Sequence, residues 1–298
     1  MSDRSKILVV GSIAYDNVMK FSGHFKDAIV PDNYNIALNA SDREISYGGC
    51  GANMAYTLKM LDEEPVLLTS VGKDFDNYKE RFDELGISMA YLFISEDLLT
   101  ASAFIVTDDD ENQITLFEPG AIKAENTGLS VKKLSKDDIV LAIISPDNTE
   151  RMAEFAYECK ELGIPYIFDP GQVTPIFDLN ELEKALQNAS ILIVNKYESE
   201  LLSQRLSKSK EELKDMVPIY IETNGPNGIE VKEGDKEFYV KAVKPGVLVD
   251  PTGSGDAFRA GLLMGLKKGL SLQISCQIGA LAGSYAVEKK GTQEHSFT

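Results

Sequence analysis

The sequence predicts an α/β protein, a three-layer arrangement in which helices flank a central, mostly parallel β-sheet, with a small β-sheet lid attached. Three observations carry that prediction. Short runs rich in Ile and Val alternate with longer segments of helical periodicity; the runs are apolar throughout; and two stretches break the rhythm with short alternating strands. Continuous apolar strands suit a parallel sheet covered on both faces, whereas alternation marks strands with one wet face. In doubly wound folds ligands bind beyond the carboxyl ends of the strands.

Along the chain, ILVVG (Ile7 to Gly11), VLLTSVG (Val66 to Gly72), DIVLAIIS (Asp138 to Ser145), YIFDPG (Tyr166 to Gly171) and ILIVN (Ile191 to Asn195) read as buried strands. Between them ANMAYTLKML, NTERMAEFAYECKEL and YESELLSQRL read as helices with one apolar stripe. Lys26 to Tyr47 and Ile87 to Phe117 offer NIALN, SAFIVTD and NQITLFEPG with no helix of useful length between them. These segments, 26–47 and 87–117, are assigned to a lid within one unit spanning 1–298. A lid excludes water from a reacting site; an edge extension or a dimer surface is the other reading, and monomer and homodimer both stay open.

Composition narrows the function. A chain of 298 residues, 43% hydrophobic, can bury a sizeable core. Lys and Arg number 30 against 47 Asp and Glu, a net charge of -17, which disfavours nucleic acid and anionic membranes as partners but not a small phosphorylated ligand. Cys50, Cys159 and Cys276 are odd in number and widely spaced, which fits a reducing cytoplasm rather than a disulfide scaffold. The first apolar run reads as a strand, not a signal peptide, and no stretch approaches a membrane span, so a cytoplasmic protein is expected. His24 and His295 sit in no nucleophile or metal pattern, which argues against hydrolase triads and histidine zinc sites.

The run DPTGSGDAFRAG concentrates the chemistry. Pro251 biases Asp250 away from helix after the strand-like VLV. Thr252 to Gly255 form a tight turn, and a helix begins near Asp256. The unpaired N–H groups of such a helix start favour negative charge. A Walker-type loop would carry a lysine, and Asp256 would repel a resting phosphate. The conflict resolves if charge arises during reaction: Asp256 takes a proton from a substrate hydroxyl while Gly253, Ser254 and Gly255 steady a phosphoryl group in flight. An ordinary helix cap is the alternative.

This run resembles the C-terminal signature of the ribokinase-like, or PfkB-type, carbohydrate and nucleoside kinases, and YGGCGANMAYTL resembles their N-terminal glycine-rich signature. The similarity runs from GSIAYD to GTQEHSFT. CGANMAYTLKML, TDDDENQITLFEPGA and GTQEHSFT are most similar to the bacterial adenosine kinase branch. The resemblance implies an α/β domain with a β lid and transfer from Mg-ATP to a primary hydroxyl, with adenosine the expected acceptor. A sugar kinase of ribose or fructose type and a catalytically idle regulator are the alternatives. It also implies an anion hole at Gly253, Ser254 and Gly255 and a general base at Asp256.

The same resemblance makes Asp16 the residue that grips sugar hydroxyls, which a carboxylate does by accepting two hydrogen bonds. It places Gly48, Gly49 and Asn53 at the substrate. It assigns Asn195 and Glu198 of NKYE to a water-clad magnesium and the phosphates, although a helix cap explains that tetrapeptide equally. Thr223, Gly225 and Gly228 of TNGPNG match a nucleotide-phosphate loop or form a plain hairpin turn. Asp250 and Thr252 resemble positions that hold a monovalent cation, potassium in relatives. Phe104 and Phe117 either flank a base or form lid core. FEPG replaces the branch's FHPG, which leaves open what meets the base edge at Glu118. Asp169 ends a strand at the crevice side and is a further substrate candidate. His295 either lines the adenine end of the ATP site or caps a surface turn.

Overall fold

The computed structural model describes residues 5–29, 36–134 and 139–297. Asp138 of the DIVLAIIS run, Asn35 of NIALN and residues 30–35 of the first lid segment lie outside the described residues.

An eight-stranded sheet forms the centre, in the order β14–β13–β12–β11–β10–β9–β1–β4. Its strands are β1 (Lys6–Val10), β4 (Pro65–Leu67), β9 (Ile139–Ile144), β10 (Tyr166–Phe168), β11 (Ile191–Asn195), β12 (Ile219–Thr223), β13 (Ile229–Glu233) and β14 (Lys236–Val240). From β4 to β12 neighbouring strands run parallel; β12, β13 and β14 are antiparallel. The continuous apolar runs follow from this arrangement. Ile7 and Val9 point into one buried cluster, Leu8 and Val10 into another, so both faces of β1 are covered. Helices Cys50–Met60, Asp76–Leu85, Ser254–Lys267 and Leu272–Ala286 contribute to the first cluster; Thr149–Leu162, Leu179–Asn188 and Lys196–Leu206 contribute to the second.

A smaller sheet has the order β3–β2–β7–β8, from β2 (Ala14–Phe21), β3 (Ala40–Gly48), β7 (Ala101–Thr107) and β8 (Gln113–Glu118). A two-stranded pair joins β5 (Thr69–Val71) to β6 (Leu92–Ile94).

Four expectations are corrected. The smaller sheet begins at Ala14, before the assigned segment, because β2 continues almost directly from β1 and pairs with both β3 and β7. Residues 36–39 of NIALN form no strand; the strand there is Ala40–Gly48. VLLTSVG divides at Leu68, whose N–H still reaches Val9 at 3.1 Å before the chain leaves the sheet edge for β6. Val247–Val249 is not a strand; the N–H groups of Val249 and Asp250 bond to the Val287 carbonyl instead. Among the described residues no helix is long and apolar enough to cross a membrane.

Candidate active site

A cleft of about 570 Å³ opens at the carboxyl ends of β10, β11 and β12, within the size range of small-molecule sites. At one end stands the start of helix Ser254–Lys267. Its cap, Gly253, has φ 78° and brings no side-chain acceptor. A Cβ at Gly253 would lie 2.9 Å from the Thr292 side chain, so the turn admits glycine alone for two reasons. Without a side-chain cap, the N–H groups of Gly253, Gly255 and Asp256 have no hydrogen-bond partner among the described residues and are offered to an anion, while that of Ser254 leans on the Pro251 carbonyl at 3.4 Å.

Asp256 accepts a hydrogen bond from Asn53 Nδ2 at 2.8 Å. Burial pushes its carboxyl up to about 6; the Asn53 donor and the Arg259 charge oppose the rise, and the charges of Asp169 and Glu198 add to it. Arg259, one turn along, is buried and donates through Nε and Nη2 to the two Asp169 oxygens at 2.6 and 2.8 Å, and through Nη1 to the Gly255 carbonyl at 3.1 Å. Asp169 does line the cleft, with its carboxylate held by Arg259 and the Ser145 hydroxyl. Sequence reasoning missed Arg259, whose signal is an arginine in the apolar periodicity of DAFRAG.

Asp16 lies in β2, beside Ser46 and Ala103. Its carboxylate covers the Gly48 Cα so closely that any Cβ there would collide with it; Gly49 has φ 90° and would meet the Ser12 and Ala14 backbone. Burial first, then the charges of Asp256 and Asp250, push the Asp16 carboxyl up to about 6. Residues paired across strands share a face, so Asp16, Ala103 and Phe117 look the same way. Phe104 does not: it pairs with Asn17 and Leu116, which puts it on the face away from Asp16 and Phe117. Glu118 also turns to that opposite face, where Lys123 pairs with it at 2.8 Å.

Asn195 and Glu198 close a capping box: Glu198 Oε2 accepts from the Asn195 N–H at 2.7 Å, and Asn195 Oδ1 from the Glu198 N–H at 2.8 Å. Both also line the cleft. Burial and Asp169 raise the Glu198 carboxyl, while Arg259 and the Asn195 N–H restrain it. Thr223, Gly225 and Gly228 form the β12–β13 hairpin connection and the cleft wall at once. Asp250 commits both oxygens, one to the Thr252 N–H at 2.9 Å and one to the Gly291 N–H at 3.0 Å, tying the turn to the C-terminal segment.

His295 neither lines the cleft nor caps a surface turn. It is 1% exposed, with Nε2 3.0 Å from the Thr57 hydroxyl and its ring edge-on to Tyr56, and burial lowers its pKa to about 4. His24 does meet carboxylates, those of Asp108 and Asp110. Asp108 is already saturated by N–H groups of Phe25, Asp110 and Asn112, and Lys26 sits on Asp110, so the cluster stitches a hairpin. The far wall of the cleft went unread in the sequence. Ala242, Val243, Pro245 and Leu248, with Ala280, Gly283 and Val287, line that part of the cleft and make it apolar.

The sequence profile of the pfkB family of carbohydrate kinases matches residues 4–297. A nucleoside kinase of Methanocaldococcus jannaschii is 33% identical over 97% of this chain and 92% of its own. A nucleoside kinase of Burkholderia thailandensis in complex with inosine superposes with TM-score 0.85 and 34% identity, covering 97% of this chain and 93% of that one. Its complex with ADP-inosine superposes with TM-score 0.82 at 34% identity, covering 98% and 92%.

Proposed function

This chain belongs to the pfkB family of carbohydrate kinases, and from that premise we propose that it is an ATP-dependent nucleoside kinase, transferring the γ-phosphate of ATP to the 5′-hydroxyl of adenosine to give AMP. One observation carries the reading: Asp256 lines the cleft at an uncapped helix start, near enough to Asp16 for the two charges to oppose each other. A protein that only bound nucleotide would gain nothing from a carboxylate there. The nucleoside kinases to which it is similar, one of them bound to inosine and to ADP-inosine, support a purine nucleoside as acceptor and ATP as donor.

In this reading the triphosphate lies along Thr223, Gly225 and Gly228 with its base in the apolar part of the cleft, and the acceptor sugar lies under the smaller sheet, the lid. Asp16 accepts hydrogen bonds from the 2′- and 3′-hydroxyls, and Phe117, on the same face, borders the base. Asp256 removes the 5′-hydroxyl proton as that oxygen bonds to the γ-phosphorus and the bond to the β-phosphate bridging oxygen breaks; ADP leaves. N–H groups of the turn Gly253, Ser254 and Gly255 hold the charge on the transferring group, the Ser254 N–H exchanging its 3.4 Å contact with the Pro251 carbonyl for the phosphoryl oxygen. The residues fit a magnesium ion that keeps its waters: the capping box leaves Glu198 Oε1 without a hydrogen bond among the described residues, beside the cleft. When bound, that ion supplies positive charge to the polyphosphate. The same reading places the protein in the cytoplasm, with its three free cysteines reduced.

The test is a phosphorylation screen of adenosine, inosine, guanosine, cytidine, ribose and fructose with Mg-ATP. Adenosine is expected to give the highest kcat/KM, with inosine also turned over. Preferential phosphorylation of ribose or fructose would refute the nucleoside reading, and no turnover of any acceptor would refute the enzyme.

A further inference from the structure

The C-terminal segment carries a buried side chain, Gln293, that no step above uses. It is 1% exposed, and its amide nitrogen lies 3.1 Å from Asn53 Oδ1 and 2.7 Å from the Tyr78 hydroxyl. Tyr78 has a single proton to give, and it points to the Gly48 carbonyl at 2.7 Å. The Tyr78 oxygen is therefore an acceptor toward Gln293, which turns the Gln293 nitrogen inward. Asn53 must meet that nitrogen with its oxygen, and its own nitrogen is left against Asp256 at 2.8 Å. Thr292 Oγ1, 2.7 Å from the same Asn53 oxygen and 2.9 Å from the Tyr47 carbonyl, fits either amide orientation, because a hydroxyl both gives and accepts. The choice of orientation rests with Gln293.

We propose that Gln293 is a positioning residue: anchored through Tyr78 to the Gly48 carbonyl at the root of the smaller sheet, it fixes the Asn53 amide so that a donor, and not an acceptor, faces Asp256. This rests on Asp256 being the base. A donor favours the carboxylate that can accept a proton; an acceptor would favour the spent acid. Asp256 needs that bias. Asp169 from the end of β10, Glu198 from helix Lys196–Leu206 and Asp16 from β2 all oppose its ionisation, and the Cys50 thiol beside it brings no positive charge. Arg259 and the Asn53 donor stand on the other side of the balance.

Gln293→Met keeps the length and apolar packing but removes the donor. The readouts are carbon-13 NMR titration of the Asp256 carboxyl, assigned by its loss in Asp256→Asn, and the pH profile of kcat. In Gln293→Met the carboxyl pKa is expected to rise by roughly one unit, and the acidic limb of kcat to move with it, while KM for ATP holds. Tyr78→Phe, which keeps the ring in its aromatic cluster, moves both in the same direction by less and serves if the first variant does not fold. Glu294→Gln, the next residue but exposed and paired with Arg81, moves neither. An unchanged Asp256 pKa in either folded variant overturns the proposal. A carboxyl pKa that rises while the acidic limb stays supports the positioning role and refutes Asp256 as the base.

Discussion

Replacing Asp256 by Asn separates activity from stability, and the structure says in which direction each moves. Asparagine keeps the shape and can still meet Asn53, with its oxygen toward the Nδ2 donor, but it cannot take a hydroxyl proton. We expect kcat to fall by roughly 10²–10⁴-fold, with nucleoside and ATP binding kept or tightened because a charge facing the phosphates has gone. Stability moves the other way. The Asp256 carboxyl titrates at about 6 in the fold against 3.8 for an ordinary aspartate. Between those values the folded state holds the proton more tightly than the unfolded chain, so ionisation costs stability as pH rises through the window, and the whole cost is present above it. A shift of that size, shared among coupled neighbours, is worth about 1–3 kcal/mol. The variant is therefore expected to unfold at a higher temperature at pH 7.5, by roughly 2–4 °C per kcal/mol, and the advantage should vanish near pH 4. In the wild type kcat should fall about tenfold per unit below pH 6. Calorimetric unfolding at both pH values, ligand titration and a product assay together decide it. A folded variant with turnover within a few-fold of wild type, or one less stable at pH 7.5, refutes the reasoning.

Three further outcomes are expected. Glu198→Gln should weaken turnover strongly and shift the magnesium dependence of the rate upward while adenosine binding changes little; a wild-type magnesium titration would remove Glu198 from the metal's surroundings. 2′-Deoxyadenosine should be a poorer substrate than adenosine, since the lost partner of Asp16 is worth about 1–3 kcal/mol; equal kcat/KM for the two would sink that role. Arg259→Met should leave Asp169 buried without its cation and cost about 3–5 kcal/mol in denaturant unfolding, with Asp169→Asn in the same background recovering part of it; a near-neutral Arg259→Met would show the pair to be solvated.

The layering of the fold was legible because it follows from local chemistry. A strand covered on both sides must be apolar where it is covered, as β1 is from Ile7 to Val10, and a glycine turn running into a helix leaves N–H groups unpaired wherever the rest of the chain goes. Asp256 and its turn could be read from seven consecutive residues for that reason. Contacts between distant segments could not. That Arg259 meets Asp169 ninety positions away, that residues of the 242–248 segment and of helix Leu272–Ala286 line one cleft, and that Gln293 reaches Asn53 are products of sheet order and helix packing. Phe104 and Phe117 look alike in sequence, yet strand register turns them to opposite faces, and a shift of one residue would exchange them. By itself the sequence determined the fold class and singled out Asp256 and its glycine turn. Tertiary structure decided which neighbours hold that carboxylate, bias its charge and line the cleft beside it, because hydrogen bonds and ion pairs depend on distances that separation along the chain does not set.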